Sequence, residues 1–438
     1  MPKNITKAKE CVTGLIDFLN HSQSTYQAVD EIKSLLDANH FKELKENKKF
    51  EIHEDGKYYV VRNGSSIIAF TVGGLNEYRF KIAASHSDSP CFKLKENAEI
   101  RVKDKYVQLN TEGYGGMLLA PWLDRPLSIA GRVIIKNTVG GANGGASELT
   151  EKHVAIDRDL VLIPDVAIHM NRKVNDGYAY NKQVDMLPLF GGKDSKDGDL
   201  KAIIAKEAGV KVEDIVGSDL YLYNRVAPSV WGANEEFISA ARLDDLECAY
   251  TTLSAFINAR KSAGINVFAC FDNEETGSQS LQGAGSTFLY DTLKRINLAL
   301  NKNEEDYYCA VADSFMLSCD NAHSVHPNHP EKTDATNAVY MNEGIVIKSN
   351  ANQKYTSDAA SIAKFKLICE KAKVPYQFFA NRSDEPGGST LGNISMSQVS
   401  MHAVDIGLAQ LAMHSPYETA GVMDIEYMVK AVKVFYEG

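Results

Sequence analysis

Long apolar runs are missing from this 438-residue chain. No stretch of about 18 uncharged apolar residues occurs, so no membrane-spanning helix is expected. The opening "MPKNITKAKECVTGLIDFLNHS" is apolar only at helical intervals and is broken by lysine and aspartate, unlike a signal peptide. Positive charge is also short: 47 Lys and Arg against 57 Asp and Glu leave a net charge of -10. Nucleic acid and anionic membrane both select basic surfaces, so neither is expected as a partner, and a small molecule or peptide is. Cysteine is sparse and unpatterned. Seven residues, an odd number without a Cys-x-x-Cys pair, read as reduced thiols and imply the cytoplasm. No internal repeat is visible. The glycine-rich "EPGGSTLG" is not followed by Gly-Lys-Ser or Gly-Lys-Thr, so it does not read as a phosphate cradle.

What is present is an ordinary globular composition, 44% hydrophobic and 24% charged, on a chain long enough for two domains. Cys11, Val12, Leu15, Ile16 and Leu19 recur at helical spacing, and "STYQAVDEIKSLLDANHF" gives a second helix capped by Ser24 or Thr25. "KYYVVRNGSSIIAFTVG" reads as a hairpin around Asn63-Gly64. From about 96 to 232 the texture becomes short β segments such as "GRVIIKN" and glycine-rich turns such as "VGGANGG". Beyond 233, long helical patterns alternate with apolar strands such as "INVFACF". The expectation is an α/β fold: residues 1–95 and 233–438 form one domain with a central mixed sheet flanked by helices, and 96–232 form an inserted β-rich domain.

The ends of the apolar elements carry acids and imidazoles. "FACFDNEETGSQS" sets Glu274 and Glu275 directly after a buried strand, at the sheet edge where α/β proteins bind ligands. "SHSDSP" puts His86 and Asp88 two apart, a spacing that suits a histidine ligand oriented by a carboxylate. "RLDDL" puts Asp244 and Asp245 at a helix entrance, where capping is the simpler reading. "LSCDNAHSVHPN" offers Asp320, His323 and His326, and "MHSPYE" offers His414. Singly each fits a turn or a cap. Five such clusters, all at the ends of apolar elements, point to a metal centre.

Together "SHSDSP", "EGYGGMLLAPWLDRPLSIAGRV", "IHMNR", "RLDDL", "DNEETGS", "DNAHSVHPN", "RSDEPGGSTLG" and "MHSPYE" resemble the aspartyl aminopeptidase family of dinuclear zinc exopeptidases. The resemblance implies a metallo-aminopeptidase that removes the N-terminal residue of peptides and prefers Asp or Glu there. It implies two divalent ions per subunit, zinc, or alternatively cobalt or manganese. His86 and Asp320 would complete one ion, Glu275 and His414 the other, with Asp244 bridging and Glu274 as general base. Asp88 would support His86. His323 and His326 are expected to be structural. His169 of "IHMNR" would reach the active site of a neighbouring subunit, and Lys348, ending "GIVIK", would anchor an acidic substrate residue from the cleft mouth. The inserted domain would build a homo-oligomer, a dodecamer of dimers. The competing readings are an N-acyl amino acid hydrolase with the same metals and a catalytically silent, metal-stabilised shell protein.

Overall fold

The computed structural model describes residues 3–138 and 147–438, and the expected turn "VGGANGG" at 139–145 lies outside them. The chain divides into two compact units. One comprises Met1–Ser89, Pro228–Met413 and Glu418–Gly438, the other Pro90–Ala227 and His414–Tyr417.

The first unit is built on a nine-stranded mixed sheet. Its strands lie in the order Lys42–Glu43, Lys57–Arg62, Ser66–Val72, Ile265–Phe271, Phe80–His86, Phe315–Cys319, His402–Gly407, Ile345–Lys348, Tyr376–Phe379. The four central strands, from Ile265–Phe271 to His402–Gly407, run parallel. All seven residues of "INVFACF" are buried because both faces of this strand are covered. Val267, Ala269 and Phe271 pack with Phe288 and Leu293 of the Phe288–Ala299 helix. Phe268 and Cys270 turn the other way, into a core with Leu246 and Ala249 of the Leu243–Ile257 helix and Val432 and Tyr436 of the Val422–Glu437 helix. Each fully buried large apolar side chain contributes roughly 1.5–3 kcal/mol. A one-residue slip would move every side chain of the strand to the opposite layer, so packing on both faces fixes the register that places the strand ends.

The N-terminal hairpin pairs Lys57–Arg62 with Ser66–Val72, and Asn63 and Gly64 take the left-handed conformations its turn requires, with φ of 53° and 71°. Ser24, not Thr25, caps the Thr25–Ala38 helix by accepting from the Tyr26 N–H. A five-stranded sheet in the same unit joins Ser229–Trp231, Phe237–Ala240, Glu418–Gly421, Ala409–Leu411 and Ala322–His323.

The second unit is a six-stranded antiparallel sheet, in the order Ser147–Ala155, Leu127–Thr138, Ile215–Asn224, Cys91–Val102, Tyr106–Tyr114, Leu189–Gly191. Its core gathers Phe92, Leu109, Trp122 and Leu222, with Leu200 and Ile204 from the Asp199–Ala208 helix. Residues 164–184 form no strand and no helix longer than the short Val174–Asp176 turn, and are mostly exposed. The His414–Tyr417 segment belongs to this unit: the Leu118 N–H donates to the His414 carbonyl at 3.1 Å and the Asn224 amide to the Pro416 carbonyl at 2.8 Å. Among the described residues no helix is long and apolar enough to cross a membrane.

Candidate metal centre

Three neighbouring parallel strands end at one sheet edge of the first unit, and each delivers acids or an imidazole there. Ile265–Phe271 leads into Asp272, Glu274 and Glu275, Phe80–His86 ends in His86 and leads to Asp88, and Phe315–Cys319 leads to Asp320. This is the carboxyl-end crevice where open α/β sheets bind ligands. The Leu243–Ile257 helix adds Asp244 and Asp245, which do not cap it. Its N-cap is Arg242, without a side-chain cap, and both aspartates have non-helical φ and ψ.

His86 organises the cluster. Its Nε2 lies 3.5 Å from Asp244 Oδ1, its Nδ1 lies 3.3 Å from Asp88 Oδ1 and 3.1 Å from the Asp88 carbonyl, and its backbone N–H donates to Asp245 Oδ2 at 3.1 Å. The Asp88 carboxylate also accepts the backbone N–H groups of Glu274 and Glu275, each at 3.1 Å. One buried side chain thus fixes the imidazole and the turn carrying the paired glutamates. Ligand atoms of His86, Asp244, Asp245 and Asp320 all lie within 4.8 Å of one another, as do those of His86, Glu274 and Glu275.

Such crowding is costly without a counter-charge. Burial, with Asp320, Asp88 and Asp244 close by, pushes Glu274 up to about 8 despite the opposing effect of His86. Burial and Asp244 raise Glu275 well above the carboxylate range, and burial together with Asp320 and Asp244 does the same to Asp245. Asp320 is raised chiefly by burial, against the pull of Lys348, and burial with Asp88 takes Asp272 up to about 6. At His86 burial disfavours the cation, but Asp245, Asp244 and Asp88 outweigh it and raise its pKa well above the ordinary value. A donor set of carboxylates around one imidazole, with Glu274, Glu275, Asp245 and Asp320 driven toward neutrality, fits a divalent cation.

The remaining expected residues are spread over both units. Lys348 ends its strand as the sequence suggests, but its ammonium is buried instead of reaching a cleft mouth. Nζ donates to the carbonyls of Asp320 and Asn321 at 2.8 and 3.2 Å, lies 3.7 Å from the Asp320 carboxylate, and sits over the Tyr355 ring. His169 lies in the exposed 164–184 segment of the second unit, and His414 in the four-residue segment that groups with that unit. His323 packs edge-on to Phe379, and His326 Nδ1 accepts from the Asn328 N–H. Sequence reasoning did not single out Ser89 or Glu418, which hold the Asp244 backbone, although both stand inside or next to the quoted motifs.

Carboxylates gathered round a buried imidazole at the carboxyl ends of parallel strands mark an α/β protein built to hold a metal. The profile of the aminopeptidase I zinc metalloprotease (M18) family matches residues 18–436, and the chain belongs to that family. It is similar to the probable M18 family aminopeptidase 2 of Clostridium acetobutylicum, with 48% identity over 427 residues covering 96% of this chain and 97% of the relative. It is also similar to aspartyl aminopeptidase 4 of Saccharomyces cerevisiae, 37% identical over 464 residues and covering 96% and 93%. Among solved structures, the Saccharomyces cerevisiae mApe1 dodecamer matches with a TM-score of 0.83 at 27% identity, over 98% of this chain and 96% of that one. The chain is an aminopeptidase, a hydrolase of the N-terminal peptide bond.

Proposed function

We propose that this aminopeptidase uses two divalent ions per chain, zinc with cobalt or manganese as substitutes, and removes single residues from unblocked peptides with a preference for Asp or Glu. The observation that carries this reading is that two donor groups meet at His86, one with Asp244, Asp245 and Asp320 and one with Glu274 and Glu275; with Glu274 left out as the base, five donors remain, more than a single four-coordinate ion takes up. His86 and Asp320 would hold one ion, Glu275 and His414 the other, and Asp244 both. Bound there, the ions would polarise the scissile carbonyl and bind the free α-amino group.

Glu274, outside that ligand set, takes a proton from the attacking water and returns it to the leaving amine. Asp88 keeps the imidazole and the Glu274–Glu275 turn in place, and no proton needs to pass through it. His169 from a neighbouring copy donates to the oxygen on which charge develops. Lys348, buried beside Asp320, supplies the positive field that favours an acidic first residue in a crowd of carboxylates, since a charge in this low-dielectric position is weakly screened. The likeness to a relative named aspartyl aminopeptidase supports that preference.

The second unit serves assembly into a homo-oligomer, a dodecamer built from dimers. The dodecameric yeast structure supports this, as do Met170, Val184, Ile168 and Tyr178, apolar side chains left exposed in the segment that carries His169. A reducing cytoplasm suits the buried free thiols of Cys248, Cys270, Cys319 and Cys369.

The deciding experiment strips the protein with a chelator, restores zinc, cobalt or manganese with the bound metal counted, and assays unblocked and N-acetylated aminoacyl substrates. Two ions per chain and release only from unblocked substrates are expected. Hydrolysis of the acetylated ones alone would make the protein an N-acyl amino acid hydrolase, and full metal loading without turnover would make it a silent shell.

A further inference from the structure

Asp244 is gripped by its backbone from two sides. Its N–H donates to Glu418 Oε2 at 3.0 Å, and its carbonyl accepts from the Ser89 hydroxyl at 2.7 Å. The first N–H groups of a helix have no intrahelical acceptor, and this helix has no side-chain cap at Arg242. Glu418 supplies the missing acceptor from a different element. It is the first residue of the Glu418–Gly421 strand, whose pairing sets Glu418 opposite Ala240, four residues before Asp244. The carboxylate therefore reaches the Asp244 peptide from a rigid sheet.

Glu418 is a costly choice for a structural acceptor. It is buried in a region already crowded with acids: its charge adds to the repulsion at Glu247, whose carboxyl is raised well above its ordinary value first by burial and then by Asp424, Glu418 and Asp244. Among the described residues it is not in any group of side chains close enough together to share an ion. A charged acceptor makes a stronger and more directional bond to an N–H than a neutral one. At Asp244 direction matters, because the side chain must stay 3.5 Å from His86 Nε2 while its backbone leaves helical geometry.

We propose that Glu418 is a positioning residue for metal binding. It holds the Asp244 peptide so that the Asp244 carboxylate faces the space between His86 and Glu275. This inference rests on the reading of Asp244 as a metal ligand.

The test titrates zinc into the chelated full-length protein by calorimetry, for the wild type, Glu418→Met, Glu418→Gln and Asp244→Asn, alongside kcat and KM. Glu418→Met fills the volume without an acceptor and should weaken zinc binding about 10- to 100-fold, the scale for a residue that orients a ligand. With zinc held at saturating concentration it should lower kcat while KM stays within about threefold, because the side chains proposed to bind substrate are untouched. Glu418→Gln keeps an oxygen in place and should recover most of the affinity. Wild-type zinc affinity in Glu418→Met, or a Glu418→Gln as weak as Glu418→Met, would overturn the role. If Glu418→Met does not fold, Glu418→Asp, which withdraws the carboxylate by one methylene, takes its place under the same two outcomes. Asp244→Asn should lose zinc outright. If it binds like the wild type, the assignment of Asp244 fails, a result distinct from failure at Glu418.

Discussion

Glu274 and Glu275 are adjacent, share one half-buried turn and are both bound through their backbone N–H groups to Asp88, yet the proposed chemistry gives them different work. Glu274→Gln keeps the size and the hydrogen-bonding turn but removes the proton acceptor. It should retain both ions and lose about two to four decades of kcat, the usual cost of a positioned base. Metal content measured beside turnover checks this, and loss of the ions would reverse the roles of the two glutamates. Asp88→Asn replaces one of its two acceptor oxygens with an amide that repels the N–H it faces. Zinc affinity should fall about 10- to 100-fold, and an unchanged titration would remove Asp88 from the site. For Lys348, the comparison is kcat/KM on Asp, Glu, Leu and Lys substrates in the wild type and Lys348→Met. Acidic substrates should lose about 10- to 1000-fold selectively. Equal losses would show that the ammonium supports Asp320 and does not select.

At the scale of elements, the site is a set of strand ends, and its electrostatics predict how the metal-free protein responds to pH. Glu274, Glu275, Asp245 and Asp320 have folded pKa values above their unfolded ones, first because of burial, and Glu274 reaches about 8. An acid of this kind costs nothing below its unfolded pKa near 4, and it destabilises the fold increasingly as pH rises through the folded value. His86, also raised, loses its stabilising charge over a rising pH and acts in the same direction. The chelated protein should therefore melt roughly 5 °C or more lower at pH 8 than at pH 5, and zinc should raise its melting temperature more at pH 8. A melting temperature that rises from pH 5 to pH 8 without metal would contradict the cluster. Much of this arrangement is legible in sequence because it is local: an apolar strand such as "INVFACF" followed by acids, or His86 two residues from Asp88. The rest depends on pairing between distant segments. "RLDDL" reads as a helix cap until the non-helical backbone of Asp244 and Asp245 is seen. "GIVIK" suggests a lysine at a cleft mouth, but the strands on either side and the carbonyls of Asp320 and Asn321 bury it. Glu418 closes the motif "MHSPYE", but nothing local gives its role, which comes from a strand register set against Ala240.

The whole molecule raises a different question, because His169 stands in a segment that a monomer has no reason to present. Met170 is 82% exposed and Val184 71%, and a run of bare apolar side chains of this kind marks a surface that is covered in an assembly. Met170→Glu would place a charge there and should dissociate the oligomer, abolishing turnover while zinc binding to the separated chains survives; light scattering and calorimetry check the two halves of that statement. If His169 completes the active site of its neighbour, two variants that are inactive alone should rescue each other. His169→Ala lacks the donor but keeps Glu274, and Glu274→Gln lacks the base but keeps His169. When the two are dissociated, mixed in equal amounts and reassembled, a site regains both groups only where a His169→Ala chain faces a Glu274→Gln neighbour. For random pairing across an isologous interface this leaves on the order of a quarter of wild-type activity. Subunits carrying different tags, captured in sequence, verify that mixed oligomers have formed. Mixed oligomers as inactive as either parent would mean that His169 acts within its own chain, or takes no part in the reaction.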